Sequence, residues 1–156
     1  MKGSQKVIDS FNKRLAEEFG AYHQYAAHES YARLKGYTAQ ADKIAKRKEA
    51  ESEHIEEVTA RILFLGGVPA VDALVGVHVN IAGIDDAVEL DDNSEASAIT
   101  GYNETGAVCM AEGDFGSFAL AMHILAEEEE HKKGTEADLT QIGQMGSDNW
   151  LANKAQ

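Results

Sequence analysis

The chain has 156 residues and a formal net charge of −13 at pH 7. That is enough length for a packed core in one domain, and the acidic balance argues against nonspecific binding to nucleic acid or anionic membrane. A single cysteine, Cys109, excludes an intramolecular disulfide framework and a thiolate metal cluster. No apolar run approaches the roughly 18 residues of a membrane span. The opening Met1-Lys2-Gly3-Ser4 does not read as a signal peptide, so a cytoplasmic protein is expected.

From Val7 the larger apolar side chains recur as Ile8, Phe11, Leu15, Tyr22 and Tyr25. These steps follow the helical period, and they place Glu18 on the same inward stripe. A second helix is expected after Gly36-Tyr37-Thr38, through Ile44, Ile55, Val58, Ile62 and Leu65, ending at Gly66-Gly67-Val68-Pro69. Residues 66–83 are too long for a tight helix–helix turn and are expected to cross over the length of a bundle. Asp85 or Asp86 is the expected cap of a third helix carrying Val88, Ile99, Tyr102 and Cys109. A turn near Gly113 leads to a fourth helix through Phe115, Phe118, Met122 and Leu125 to Leu139 and Ile142. Gly143 and Gly146 then separate off a short tail, Ser147 to Gln156, with a fifth helix expected over about 146–155. Gly101, Gly106, Gly113 and Gly116 predict that the third helix is the least regular, each glycine costing up to about 1 kcal/mol relative to alanine. The expected architecture is all-α: one domain over residues 1–156, with a four-helix bundle over about 4–143 built from two hairpins and a crossover.

Two Glu-x-x-His pairs stand out, Glu51/His54 and Glu128/His131. A carboxylate and an imidazole three residues apart share a helical face and can reach one metal ion. In so acidic a chain such pairs also arise by chance, and spacing says more. Glu18 precedes Glu51 by 33 residues, and Glu95 precedes Glu128 by the same 33. The set Glu18/Glu51/His54 therefore recurs 77 residues later as Glu95/Glu128/His131, and Tyr25 with Tyr102 and Gly36 with Gly113 obey the same offset. The midpoint of each glutamate pair falls beside Gly36 or Gly113. In antiparallel hairpins all six side chains then arrive at one level of the bundle.

A single glutamate on an apolar stripe commonly snorkels to water. Four carboxylates and two imidazoles converging in a core are different, because their desolvation and repulsion cost many kcal/mol unless a cation compensates them. Four Glu and two His match a carboxylate-bridged two-metal centre within a helical bundle. Oxygen and nitrogen donors without thiolate suit iron or manganese. In this reading Glu18 with His54 and Glu95 with His131 hold one metal each, and Glu51 and Glu128 bridge. Tyr25 has two open roles: packing with a satisfied hydroxyl, or a hydrogen bond to a ligand with electron donation during oxygen chemistry. The same choice applies to Tyr102. His23, His28, His78 and His123 read as surface or structural, Cys109 as a core residue, and the run Glu127–Glu130 as solvated apart from Glu128.

The sequence resembles bacterioferritin over nearly its full length. The resemblance is carried by Met1-Lys2-Gly3 with Lys6-Val7-Ile8, by Gln24-Tyr25, by Arg61-Ile62-Leu63-Phe64-Leu65 with Gly67 and Pro69, and by Met145-Gly146 with Asn149. It implies a ferritin-like fold and places the family's ferroxidase ligands on Glu18, Glu51, His54, Glu95, Glu128 and His131. Glu89-Leu90-Asp91 looks locally like the family's third-helix ligand motif, so Glu89 stands as the alternative to Glu95. Three positions depart from the family. The haem-ligating methionine is Ser52 here, so haem is not expected there, and the auxiliary inner-surface ligands are replaced by Lys46 and Ala50.

The function implied is oxidation of Fe(II) with O2 or H2O2 and storage of ferric mineral in a hollow homo-oligomer of two dozen copies, without nucleic-acid or membrane partners. The alternatives are a peroxide-protecting mini-ferritin of a dozen copies, a rubrerythrin-like di-iron peroxidase or oxidase, and a structural bundle with a remnant metal site.

Overall fold

The computed structural model describes residues 2–155, so Met1 and Gln156, the ends of the expected domain, lie outside the described residues. Five helices follow in order: α1 (Gln5–Lys35), α2 (Thr38–Phe64), α3 (Ile84–Ala111), α4 (Phe115–Met145) and α5 (Ser147–Ala152). There is no strand among the described residues. The fold is the expected four-helix bundle: α1 packs on α2, α3 on α4, and the two hairpins meet through α1 and α3.

The hairpin turns are copies of one another. Gly36 and Gly113 adopt left-handed φ values of 84° and 69°, a region that glycine enters without steric cost. Around the first, the N–H of Gly36 donates to Arg33 O (3.1 Å) and that of Tyr37 to Ala32 O (3.0 Å). Around the second, Gly113 donates to Met110 O (3.1 Å) and Asp114 to Cys109 O (2.9 Å), so every partner is displaced by 77 residues. The turns close the helix ends in the same way and set both hairpins in the same register.

The interior is two hydrophobic plugs with a polar layer between them. One plug contains Phe11, Leu15, Val58, Ile62, Tyr102 and Ile124. The other contains Tyr25, Ile44, Ile84, Val88 and Trp150 from α5. Between the two plugs lie the buried side chains of Glu18, Glu51, His54, Glu95 and Glu128.

The crossover is tied down by its backbone. The N–H of His78 donates to Gln24 Oε1 (2.9 Å), and its carbonyl accepts from His28 Nε2 (2.9 Å). His28 Nδ1 meets Asp91 Oδ1 at 2.8 Å, and Gln24 Nε2 donates to the same carboxylate oxygen at 2.9 Å. The His28 ring thus bridges the carboxylate of Asp91 and the backbone of the crossover, one contact at each nitrogen. The expectation of a structural role for His28 is met.

Several local expectations are corrected. The third helix is uninterrupted over its 28 residues. Its glycines make room for neighbours: a Cβ on Gly101 would lie 1.0 Å from Nη1 of the buried Arg14. Gly83, not Asp85 or Asp86, takes the N-cap position of α3, and Asp86 serves it from inside by accepting from the N–H of Gly83 (3.0 Å). Gly143 lies within α4, which runs on to Met145, and α5 is shorter than the expected span. A helical hydrogen-bond ladder tolerates an exposed glycine when its neighbours are already helical, so Gly143 does not end the helix.

Candidate metal centre

Each long helix brings one carboxylate to the polar layer: Glu18 from α1, Glu51 from α2, Glu95 from α3 and Glu128 from α4. His54 and His131 follow one turn after Glu51 and Glu128, and their ring centroids are 6.4 Å apart. Glu89 is exposed on α3, and it is Glu95 that joins the cluster. The six residues form two overlapping groups, Glu18/Glu51/His54/Glu128 and Glu51/Glu95/Glu128/His131, whose ligand atoms within each group all lie within 4.8 Å of one another.

Glu51 and Glu128 belong to both groups, and each directs one oxygen to each histidine. Glu51 places Oε2 3.6 Å from His54 Nδ1 and Oε1 3.9 Å from His131 Nδ1. Glu128 places Oε1 3.1 Å from His54 Nδ1 and Oε2 3.6 Å from His131 Nδ1. Glu18 approaches only His54 (3.5 Å), and Glu95 only His131 (3.8 Å). Two carboxylates are thus central and two terminal.

The inward atoms are poorly satisfied by the protein itself. Nδ1 of both histidines and both oxygens of Glu128 are buried without a hydrogen-bond partner among the described residues. Four atoms left in that state are costly in a core, and a cation among them would supply the missing partner. The donor set is hard oxygen with imidazole nitrogen, which fits iron or manganese.

Without a metal, protons are the available countercharge. Burial pushes Glu51 well above the ordinary carboxylate range, and the charges of Glu128 and Glu18 add to it. Burial and Glu128 do the same for Glu95, and burial also raises Glu128. Glu18 is opposite in sense: burial acts upward, but His54, Glu51 and Tyr102 outweigh it and hold the carboxyl low. Burial opposes charge on His54, yet Glu128, Glu18 and Glu51 overcome it and raise the imidazole. On His131 burial wins, helped by Arg47 and His54, and its pKa is lowered. The neighbours thus favour charge on Glu18 and on His54, which face each other, and disfavour it on His131.

Two tyrosines complete the layer. The Tyr25 hydroxyl donates to Glu95 Oε1 and the Tyr102 hydroxyl to Glu18 Oε1, each crossing between α1 and α3. Both rings are fully buried, and burial raises both phenols well above their ordinary value. A cavity of about 150 Å³ leads to the layer between α1 and α3, lined by Glu17, Glu18, Tyr25, Ser94 and Glu95 and roofed by Val75 and His78 of the crossover.

The ferritin-like domain family matches residues 8–145, most of this bundle. Curated relatives include a bacterioferritin of Streptomyces coelicolor, 33% identical over 156 residues that cover 97% of this chain and 90% of that protein. A bacterioferritin of Brucella melitensis is 30% identical over 150 residues, covering 96% and 92%. A bacterial ferritin of Synechocystis is 29% identical over 155 residues, covering 99% of each. The chain belongs to the bacterioferritin family.

For a bacterioferritin, one residue of this site was missed from sequence. Glu127 reads as part of a solvated acidic run, and its side chain is 44% exposed, yet its Oε2 lies 2.8 Å from Nε2 of the buried His54. The only signal available was the internal repeat, which pairs position 127 with position 50. That position holds alanine, so the comparison gave no hint. Tyr102 was left with two roles, and the structure gives it the hydrogen bond to a cluster carboxylate.

Proposed function

We propose that this protein is a ferroxidase and iron store. Two Fe(II) ions bind between Glu18, Glu51, His54, Glu95, Glu128 and His131, are oxidised with O2 or H2O2, and pass into a ferric mineral inside a cage of two dozen copies in the cytoplasm. The observation that carries this reading is the orphaned inner donor set: both histidine Nδ1 atoms and both oxygens of Glu128 converge without partners among the described residues. The names of the relatives, bacterioferritin and bacterial ferritin, point the same way. No helix among the described residues is long and apolar enough to cross a membrane.

Two adjacent irons supply two electrons together to a single oxidant. The protein's part is positional and protonic. Glu51 and Glu128 hold the two sites together, and the terminal Glu18 and Glu95 are held in place by Tyr102 and Tyr25. Loading requires Glu51, Glu95 and Glu128 to give up protons that burial favours, and His54 one that its carboxylate neighbours favour, so metal binding releases protons. Self-association is supported by large apolar side chains exposed on the single chain, among them Leu34, Val68, Val71 and Phe115. Ser52 provides no thioether at the family's haem position, and we infer a haem-free protein.

The test is stopped-flow oxidation of Fe(II) by the assembled protein, with native mass measured alongside. The parent oxidises two Fe(II) per subunit in a fast phase and has the mass of a two-dozen-subunit cage. The Glu51→Ala/Glu128→Ala protein keeps that mass and loses the phase. An undiminished fast phase in the double variant refutes the assignment, and a dodecameric mass moves the protein to the mini-ferritins.

A further inference from the structure

The 77-residue repeat that matches the six cluster residues fails at two flanking positions, and both failures fall on the same side. Behind His54, Glu127 of α4 places its carboxylate 2.8 Å from Nε2. The equivalent position behind His131 is Ala50, a methyl group that offers no acceptor, and no carboxylate contacts His131 Nε2 among the described residues. One turn earlier the asymmetry is reinforced. Arg47 is buried on α2 with its Nη2 3.4 Å from the backbone carbonyl of His131. Its counterpart on the His54 side is the neutral Ile124.

An imidazole whose far N–H donates to a carboxylate is a fixed and more basic metal ligand, and loss of such a partner typically costs about 10–100-fold in affinity. A guanidinium packed on the backbone of a ligand histidine opposes further positive charge near that ligand. His54 has the first advantage, and His131 has neither that advantage nor a neutral neighbour. His131 is also the more open of the two, with 17% of its side chain exposed against 1% for His54.

We propose that the two metal positions are unequal by construction: the Glu18/His54 position, backed by Glu127, fills first and tightly, and the Glu95/His131 position, lacking a carboxylate at residue 50 and with Arg47 packed on the backbone of its histidine, fills second and releases its ion more readily. Glu127 is a positioning residue, acting through His54. The inference rests on the proposed metal centre. It gives the centre a direction, with a retained ion on one side and an exchangeable one on the other, as a site passing iron onward requires.

The test uses Co(II), which binds without being oxidised, in the assembled full-length protein. Crystals grown with one equivalent of Co(II) per subunit are expected to show the anomalous peak at His54, with little at His131. Titration followed by Co(II) absorption is expected to give two steps. Glu127→Gln weakens the first by about 10–100-fold, and Ala50→Glu tightens the second while leaving the first in place. Equal peaks at both histidines, or an unchanged first step in Glu127→Gln, overturn the inequality while leaving the metal centre standing. Absence of any bound Co(II) overturns the centre and the inequality together.

Discussion

At the scale of single residues the centre depends on which carboxylates are charged. His54, Glu51 and Tyr102 lower Glu18 against the effect of burial and favour its charge, whereas burial and Glu128 raise Glu95 and disfavour charge there. The matched tyrosines therefore make unequal hydrogen bonds. One to a charged acceptor is worth about 1.5–3 kcal/mol, and one to a neutral acceptor about 0.5–1.5 kcal/mol. In the metal-free protein Tyr102→Phe is expected to cost the larger amount and Tyr25→Phe the smaller, measured as unfolding free energy in denaturant. Equal costs would show that the two glutamates carry the same charge. The six cluster residues were legible in the sequence because a duplicated 33-residue spacing is a long-range constraint that can be read from one chain. Glu127 was not legible, because a half-exposed carboxylate in an acidic run has no periodic signature that separates it from its solvated neighbours.

At the scale of elements the helices were legible from hydrophobic period, and their ends were less so. The glycines misled where sterics set the outcome: Gly101 reads as a helix weakener, but the space it leaves is filled by the Arg14 guanidinium, a contact invisible without the neighbouring helix. The anchoring of the crossover was equally hidden, because it joins His28 and Gln24 of α1 to Asp91 of α3 and to the backbone at His78. The segment so anchored roofs the cavity that leads to the cluster. His28→Ala removes both the contact to the buried Asp91 and the one to the carbonyl of His78, and leaving buried polar groups short of a partner typically costs about 1–3 kcal/mol. Amide hydrogen exchange at Val75 and His78 is expected to rise by about tenfold or more, with much smaller changes in the α1–α2 turn. Unchanged exchange at those two amides would mean that the crossover is held by its apolar contacts alone.

At the scale of the whole molecule, the net charge of −13 contains two different populations of acid. Most are solvated or, like the buried Asp91 and Asp138, partnered outside the cluster, and four are stacked in the core where metal or protons must compensate them. This makes the stability of the metal-free protein depend on pH in an unusual sense. His54 is raised from its ordinary value of 6.5, because Glu128, Glu18 and Glu51 outweigh burial. Glu51 and Glu95 are raised well above 4.5 by burial and by neighbouring charge. From about pH 6.5 upward the folded state therefore holds protons that the unfolded chain has released, and stability falls as pH rises. His131, lowered by burial, acts in the opposite sense, but only as the unfolded imidazole titrates near 6.5 and below. The carboxylates held low, Glu29 and Asp114 among them, act only in more acidic solution. Calorimetry in chelator is expected to show Tm declining over that range. The slope should be shallower in Glu51→Gln, where one of the retained protons no longer exists to be lost. Saturation with Mn(II) should reverse it, because ligands that must be deprotonated bind more tightly as pH rises. A metal-free Tm that rises with pH over the same range would mean that the buried glutamates are already charged and compensated within the protein, and that no cation is needed to hold the bundle's centre together.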